Sequence, residues 1–143
     1  MKLATIGYES EAQADVIQRL KAAGVERVID VRAVAASRRA GFSKTLLGNS
    51  LNEAGIDYVH LRALGTPAAG RQAARAGRHS EMEAIFAEHM EQPEPQRALR
   101  QAVDLARETK TALLCYEARH DECHRSIVAA MMLELAPFEV EHL

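Results

Sequence analysis

The chain of 143 residues has no tryptophan, three tyrosines, three phenylalanines and only two cysteines. Two thiols cannot staple a chain of this length, which excludes a disulfide scaffold of the secreted kind. The scarcity of aromatic rings leaves few platforms on which single-stranded bases stack. No apolar run approaches the roughly 18 residues that a membrane-spanning helix needs. The start, Met1-Lys2-Leu3-Ala4-Thr5-Ile6-Gly7, is interrupted too soon to read as a secretory signal. A cytoplasmic protein without membrane association is the expectation, and in a reducing compartment its thiols are free, reactive or metal-bound. Excess charge of one sign is missing too, since a formal net charge of -2 points to no class of partner. What is present, 48% hydrophobic and 27% charged residues with eight Gly and four Pro, excludes disordered and collagen-like chains. The length suits a single domain over residues 1–143 with a core that folds unaided.

Apolar patterning alternates between short runs and helical stripes. Leu3–Ile6, closed by Gly7, reads as a buried strand. Val16, Ile17 and Leu20 define a helix between Ser10 and Ala23, with Ser10 as a cap and Gly24 as the stop. Val25–Val31 is a second strand, Leu46, Leu47 and Leu51 after Ser43 a second helix, and Ile56–Leu61 a third strand. A loop is expected from Gly65 to His79. A helix over Ser80–Met90 and another from about Pro95 are separated by Pro93 and Pro95. Thr111–Tyr116 is the most apolar strand candidate, Ile127–Leu135 the last long helix, and Phe138–Leu143 a final strand. This order predicts an α/β fold, Rossmann-like or flavodoxin-like, with a mostly parallel sheet and helices on both faces.

Parallel strands deliver the residues that follow them to one rim, where open α/β sheets bind ligands. Collected there are Tyr8, Glu9 and Ser10; Asp30 and Arg32; His60 and Arg62; Cys115 and Glu117; and Cys123, His124 and Arg125. Cys123-His124-Arg125 falls at the start of a helix, whose free N–H groups and dipole attract anions and lower a thiol pKa. A small buried hydrophobe is the commoner fate of a free cysteine. Cys115, His120, Cys123 and His124 offer soft or borderline metal ligands within ten residues. They lack a Cys-x-x-Cys, and on a helix Cys123 and His124 would diverge, so no ligand set is assigned and no cofactor is named. The cysteine-phosphatase spacing also fails, because Asp121 stands where the arginine belongs. Between residues 32 and 78 eight basic side chains face only Glu53 and Asp57, so a basic region opposes a more acidic remainder.

Five blocks carry a family resemblance: Thr5-Ile6-Gly7-Tyr8; Asp30-Val31-Arg32 with Ser37-Arg38 and Phe42-Ser43-Lys44; Gly55-Ile56 with Tyr58-Val59-His60-Leu61; Leu64-Gly65; and Leu114-Cys115-Tyr116-Glu117 with Cys123-His124-Arg125. In this order and spacing the chain resembles the family catalogued as domain of unknown function 488. Ala35 departs from that pattern, which carries a proline in this loop, and the departure bears on loop stiffness rather than chemistry. The resemblance implies a fold and a set of matched polar positions, not an activity.

The expectation is a protein that binds a phosphate-bearing ligand, a nucleotide or a nucleic-acid segment, through Arg32, Ser37, Arg38, His60, Cys115 and Arg125. Were it an enzyme, Cys123 is the candidate nucleophile, His124 or His60 the proton carrier, and Asp30 or Glu117 the orienting or accepting carboxylate. Two other classes stay open. One is a non-catalytic binding or assembly module in which Asp30–Arg32 and Glu117–Arg125 are structural ion pairs. The other is a metalloprotein using Cys115, Cys123 and His124. The sequence does not define the oligomeric state.

Overall fold

The computed structural model describes all 143 residues. In chain order the elements are β1 (Lys2–Gly7), α1 (Gln13–Ala22), β2 (Arg27–Asp30), α2 (Lys44–Glu53), β3 (Asp57–His60), α3 (Ala68–Arg75), α4 (His79–Met90), α5 (Pro93–Glu108), β4 (Thr111–Cys115), α6 (His124–Leu135) and β5 (Glu139–His142). Single 3-10 turns lie at Arg62–Leu64 and His120–Glu122. The strands form one all-parallel sheet in the order β3-β2-β4-β1-β5. This is the α/β architecture expected from the alternation of strands and helices. None of the helices is long and apolar enough to cross a membrane.

Side chains alternate across the sheet with period two. Ala4, Ile6, Val28, Ala112 and Leu114 pack on one face against Val16 and Leu20 of α1 and Leu47 and Leu51 of α2. Leu3, Ile29, Leu113 and Cys115 pack on the other against Phe86 of α4, Val103 of α5 and Val128 of α6. Both faces are covered, as an all-parallel sheet requires. α1 and α2 carry the chain outward through β2 to β3 on the first face. The return to β4, between β2 and β1, and the step to β5 run on the second. The loops after the neighbouring strands β1 and β4 therefore leave toward opposite faces, and a crevice opens between them.

Three local expectations need correction. Ser10 does not cap α1: it sits in the preceding turn with φ of 62°, and Ala12 occupies the cap position without a side-chain hydrogen bond. Pro93 and Pro95 do not separate two helices but open α5, whose first turn leaves N–H groups unpaired anyway. The segment read as a loop from Gly65 to His79 contains α3. Its buried positions are Gly70 and Ala73, so the helix packs closely without the large apolar stripe that announces one.

Candidate functional site

The register sets the strand ends level. Gly7 lies opposite Cys115, and Asp30 lies opposite both Leu114 and His60. Two glycines then let the loops touch. A Cβ on Gly7 would stand 1.7 Å from the Glu117 carbonyl oxygen, and one on Gly65 would stand 2.2 Å from the Ala33 main-chain nitrogen. Only hydrogen fits at either place, so the β1 loop closes on the β4 loop and the β3 loop on the β2 loop. The Glu9 amide donates to the Tyr116 carbonyl at 2.8 Å, and the Glu9 carboxylate accepts from the Ala118 amide at 3.1 Å, fixing the first junction.

Asp30 has no exposed surface. It accepts from Arg32 Nε at 2.9 Å, Arg32 Nη2 at 2.7 Å, the Arg32 main-chain amide at 3.1 Å and the Tyr58 hydroxyl at 2.5 Å. Arg32 Nη1 donates to the Tyr8 hydroxyl and to the Phe42 carbonyl, and Tyr8 stacks on Phe42 with ring centres 4.2 Å apart. Burial opposes the guanidinium charge, but the hydrogen bonds and charge of Asp30 more than offset it and hold Arg32 above its ordinary pKa. Burial first, and then Asp30, push the Tyr58 hydroxyl well above its own. Nearly all the donors of Arg32 are thus committed within the protein, where they tie the loop of residues 33–43 to the sheet.

A second cluster lies at the end of β4. His124 Nε2 is 2.7 Å from the Val31 carbonyl, which only accepts, so Nε2 carries the proton and Nδ1 faces the thiols. Nδ1 is 3.6 Å from Cys115 Sγ and 3.9 Å from Cys123 Sγ, and Cys115 Sγ is 3.5 Å from Glu117 Oε2. The divergence expected of the adjacent pair Cys123-His124 does not occur. Cys123 is the extended cap residue, with φ of -122° and ψ of 141°, and only His124 is helical, so both side chains reach one point. Burial raises the Cys123 thiol far above its usual range, with Cys115 adding to the effect, against any lowering by the helix terminus. His124 is shifted upward: burial works against its charge, while Cys123 and the Val31 carbonyl favour it.

Above this floor is a cavity of about 500 Å³ at the crevice. Tyr8, Ser37, Arg38 and Glu117 line it from the loops, Cys115 from the end of β4, His124 from the start of α6, and Arg71 and Arg75 from α3. Val34, Ala74, Met82 and Tyr116 supply apolar surface. Arg71 donates to the Thr66 carbonyl at 2.8 Å, whereas Arg38 and Arg75 make no side-chain hydrogen bond or ion pair. Two thiols around one imidazole nitrogen can pass a proton to it, or can present a soft donor set to one cation.

The family model described as Domain of unknown function DUF488 matches residues 12–132, most of the chain. The chain belongs to the DUF488 family. The match takes in the Asp30–Arg32 pair, the Arg38 loop, α3 and the Cys123-His124-Arg125 run; β1 with Tyr8 and the end strand β5 lie outside it. Neither the curated proteins nor the solved structures contain a match.

In this DUF488 chain the rim brings together Arg32, Ser37, Arg38, Cys115, Glu117 and His124. Asp30 lies beneath Arg32, enclosed. Cys123 touches His124 from behind and does not border the cavity. His60 turns to the Arg32 carbonyl at 2.7 Å, away from the lining. Arg125 is fully buried and donates to the main-chain carbonyls of Glu117 and Ala118, so no ion pair joins it to the Glu117 carboxylate. Arg71 and Arg75 are lining residues that sequence reasoning did not single out. Their signals were the excess of basic residues between 32 and 78 and their place in the segment Gly65–His79, which leaves the same sheet edge.

Proposed function

We propose that this DUF488 protein binds a phosphate-bearing small molecule in the carboxyl-edge cavity, its anionic group held by Arg38, Arg71 and Arg75. The observation that carries the reading is the pair Arg38 and Arg75, guanidiniums on the lining with no partner inside the protein. A guanidinium presents a planar fork of donors that matches phosphate oxygens. A concave site of this volume suits a ligand of nucleotide size better than a nucleic-acid strand, and Val34, Ala74 and Tyr116 suit its less polar body. Arg32 and Arg125 are positioning residues here: Arg32 donates to Asp30 and Phe42, and Arg125, fully buried, donates through Nη1 and Nη2 to the Glu117 and Ala118 carbonyls. The reactive end of the ligand would lie toward Cys115, His124 and Glu117.

Thermal unfolding with pyrophosphate, nucleotides and sugar phosphates tests the reading. A ligand at one hundred times its Kd adds about 2.7 kcal/mol, a rise of roughly 9 °C for a chain of this size. Arg38→Ala and Arg75→Ala should abolish that rise while shifting the unliganded Tm by no more than about 2 °C, as for surface positions without partners. Absence of any rise, or its persistence in the double variant, would overturn the proposal.

A further inference from the structure

Two buried thiols and an imidazole converge beneath the cavity, a grouping that anion binding does not use. Cys115 closes β4 and Cys123 precedes α6, and their sulfurs and His124 Nδ1 lie within 4.8 Å of one another. The three residues are 5%, 3% and 7% exposed in the order Cys115, Cys123, His124, so the donors are enclosed rather than scattered on a surface. We propose that Cys115, Cys123 and His124 form a Cys2His site for a zinc-class divalent cation, with the remaining coordination position open to the cavity.

Three features of the geometry support this assignment. A tetrahedral zinc ion with bonds of about 2.3 Å to sulfur and about 2.0 Å to nitrogen has nitrogen–sulfur edges of about 3.5 Å. The observed separations are 3.6 Å and 3.9 Å. The second feature is the hydrogen bond from His124 Nε2 to the Val31 carbonyl, which leaves Nδ1 as the ligating atom and fixes the ring, the arrangement that metal-bound histidines adopt. The third is the asymmetry of access. Cys115 and His124 border the cavity while Cys123 backs the cluster, so the free position faces the ligand space, beside Glu117. A divalent cation with two thiolates and a neutral imidazole is also uncharged overall, which suits an enclosed place better than two separate thiolates. Binding releases the two thiol protons to solvent and changes no oxidation state.

The inference goes beyond the anion reading and does not depend on it. The test uses the full chain without an affinity tag, reduced and stripped with a chelator, then titrated with zinc and with cobalt(II) as a spectroscopic probe. The expected results are one metal per chain, release of about two protons per metal, thiolate-to-cobalt charge-transfer absorption with tetrahedral ligand-field bands, and protection of both thiols from a disulfide reagent by zinc. Cys123→Ser should weaken zinc binding on the order of 100-fold or more, since loss of even an outer partner weakens a site 10–100-fold. Should that variant not fold, thiol protection in the unaltered chain decides alone. Binding of less than about a tenth of a zinc per chain, thiols that react equally fast with and without zinc, or a Cys115–Cys123 disulfide in place of metal uptake would overturn the site. A chain that ignores zinc yet is stabilised by pyrophosphate through Arg38 would refute the metal site and leave the anion reading standing. The converse result would separate them the other way.

Discussion

Replacing Arg32 by methionine removes the guanidinium and keeps most of the aliphatic stem, so the charge is deleted with little change in volume. Asp30 then loses its bonds to Nε and Nη2 and keeps the Tyr58 hydroxyl and the residue 32 amide, with no access to water. Breaking a buried pair from one side costs about 3–5 kcal/mol, because the stranded carboxylate is dehydrated and uncompensated. The Phe42 carbonyl and the Tyr8 hydroxyl lose a donor in the same step. With about 2.1 cal/mol/K of unfolding entropy per residue, the 143-residue chain loses about 1 °C of Tm for each 0.3 kcal/mol, so Arg32→Met should melt roughly 10–17 °C lower. Calorimetry reads this directly. Adding Asp30→Asn should recover part of the loss, since a neutral amide leaves no stranded charge. A fall of less than about 3 °C with loss of stabilisation by phosphate compounds would refute the reasoning and put Arg32 on the ligand instead.

Gly7→Ala forces a methyl group into the Glu117 carbonyl and should destabilise the chain by about 3 kcal/mol, seen as a lower urea midpoint with an unchanged slope. The raised pKa of Tyr58 means that above its ordinary value of 10 the folded chain holds a proton the unfolded chain has lost. Stability should therefore fall as pH rises from about 10, and Tyr58→Phe should flatten that fall, as urea midpoints across this range will show. His142 is shifted the other way, by partial burial and by the neighbouring His120 and Arg125. Its NMR titration midpoint should lie below 6.5, and its contribution to stability, present above 6.5, should disappear as pH drops through the folded value.

The strands and the large helices were legible in the sequence because their buried faces are built from large side chains. Leu113 and Leu114 in β4 and Val128 and Met132 in α6 give period and burial together. α3 was not legible, because Gly70 and Ala73 pack a helix closely without a stripe. The rim followed from strand direction alone: once all strands run one way, Tyr8, Arg32, Cys115 and Glu117 must follow strand ends on the same side. Chain order says nothing of which donors are already taken. Arg32 and Arg38 are both arginines in one loop, yet one folds back on Asp30 while the other stays unpartnered.

Residue order and apolar period were sufficient for the α/β class and for which residues reach the sheet edge, since both are local properties of a chain that alternates strand and helix. Strand order, the junctions of Gly7 with Glu117 and of Gly65 with Ala33, and the extended backbone that turns Cys123 toward His124 came only with three dimensions. Those features depend on distances of a few ångströms between segments far apart in the chain, and packing settles such distances where no short stretch of sequence records them.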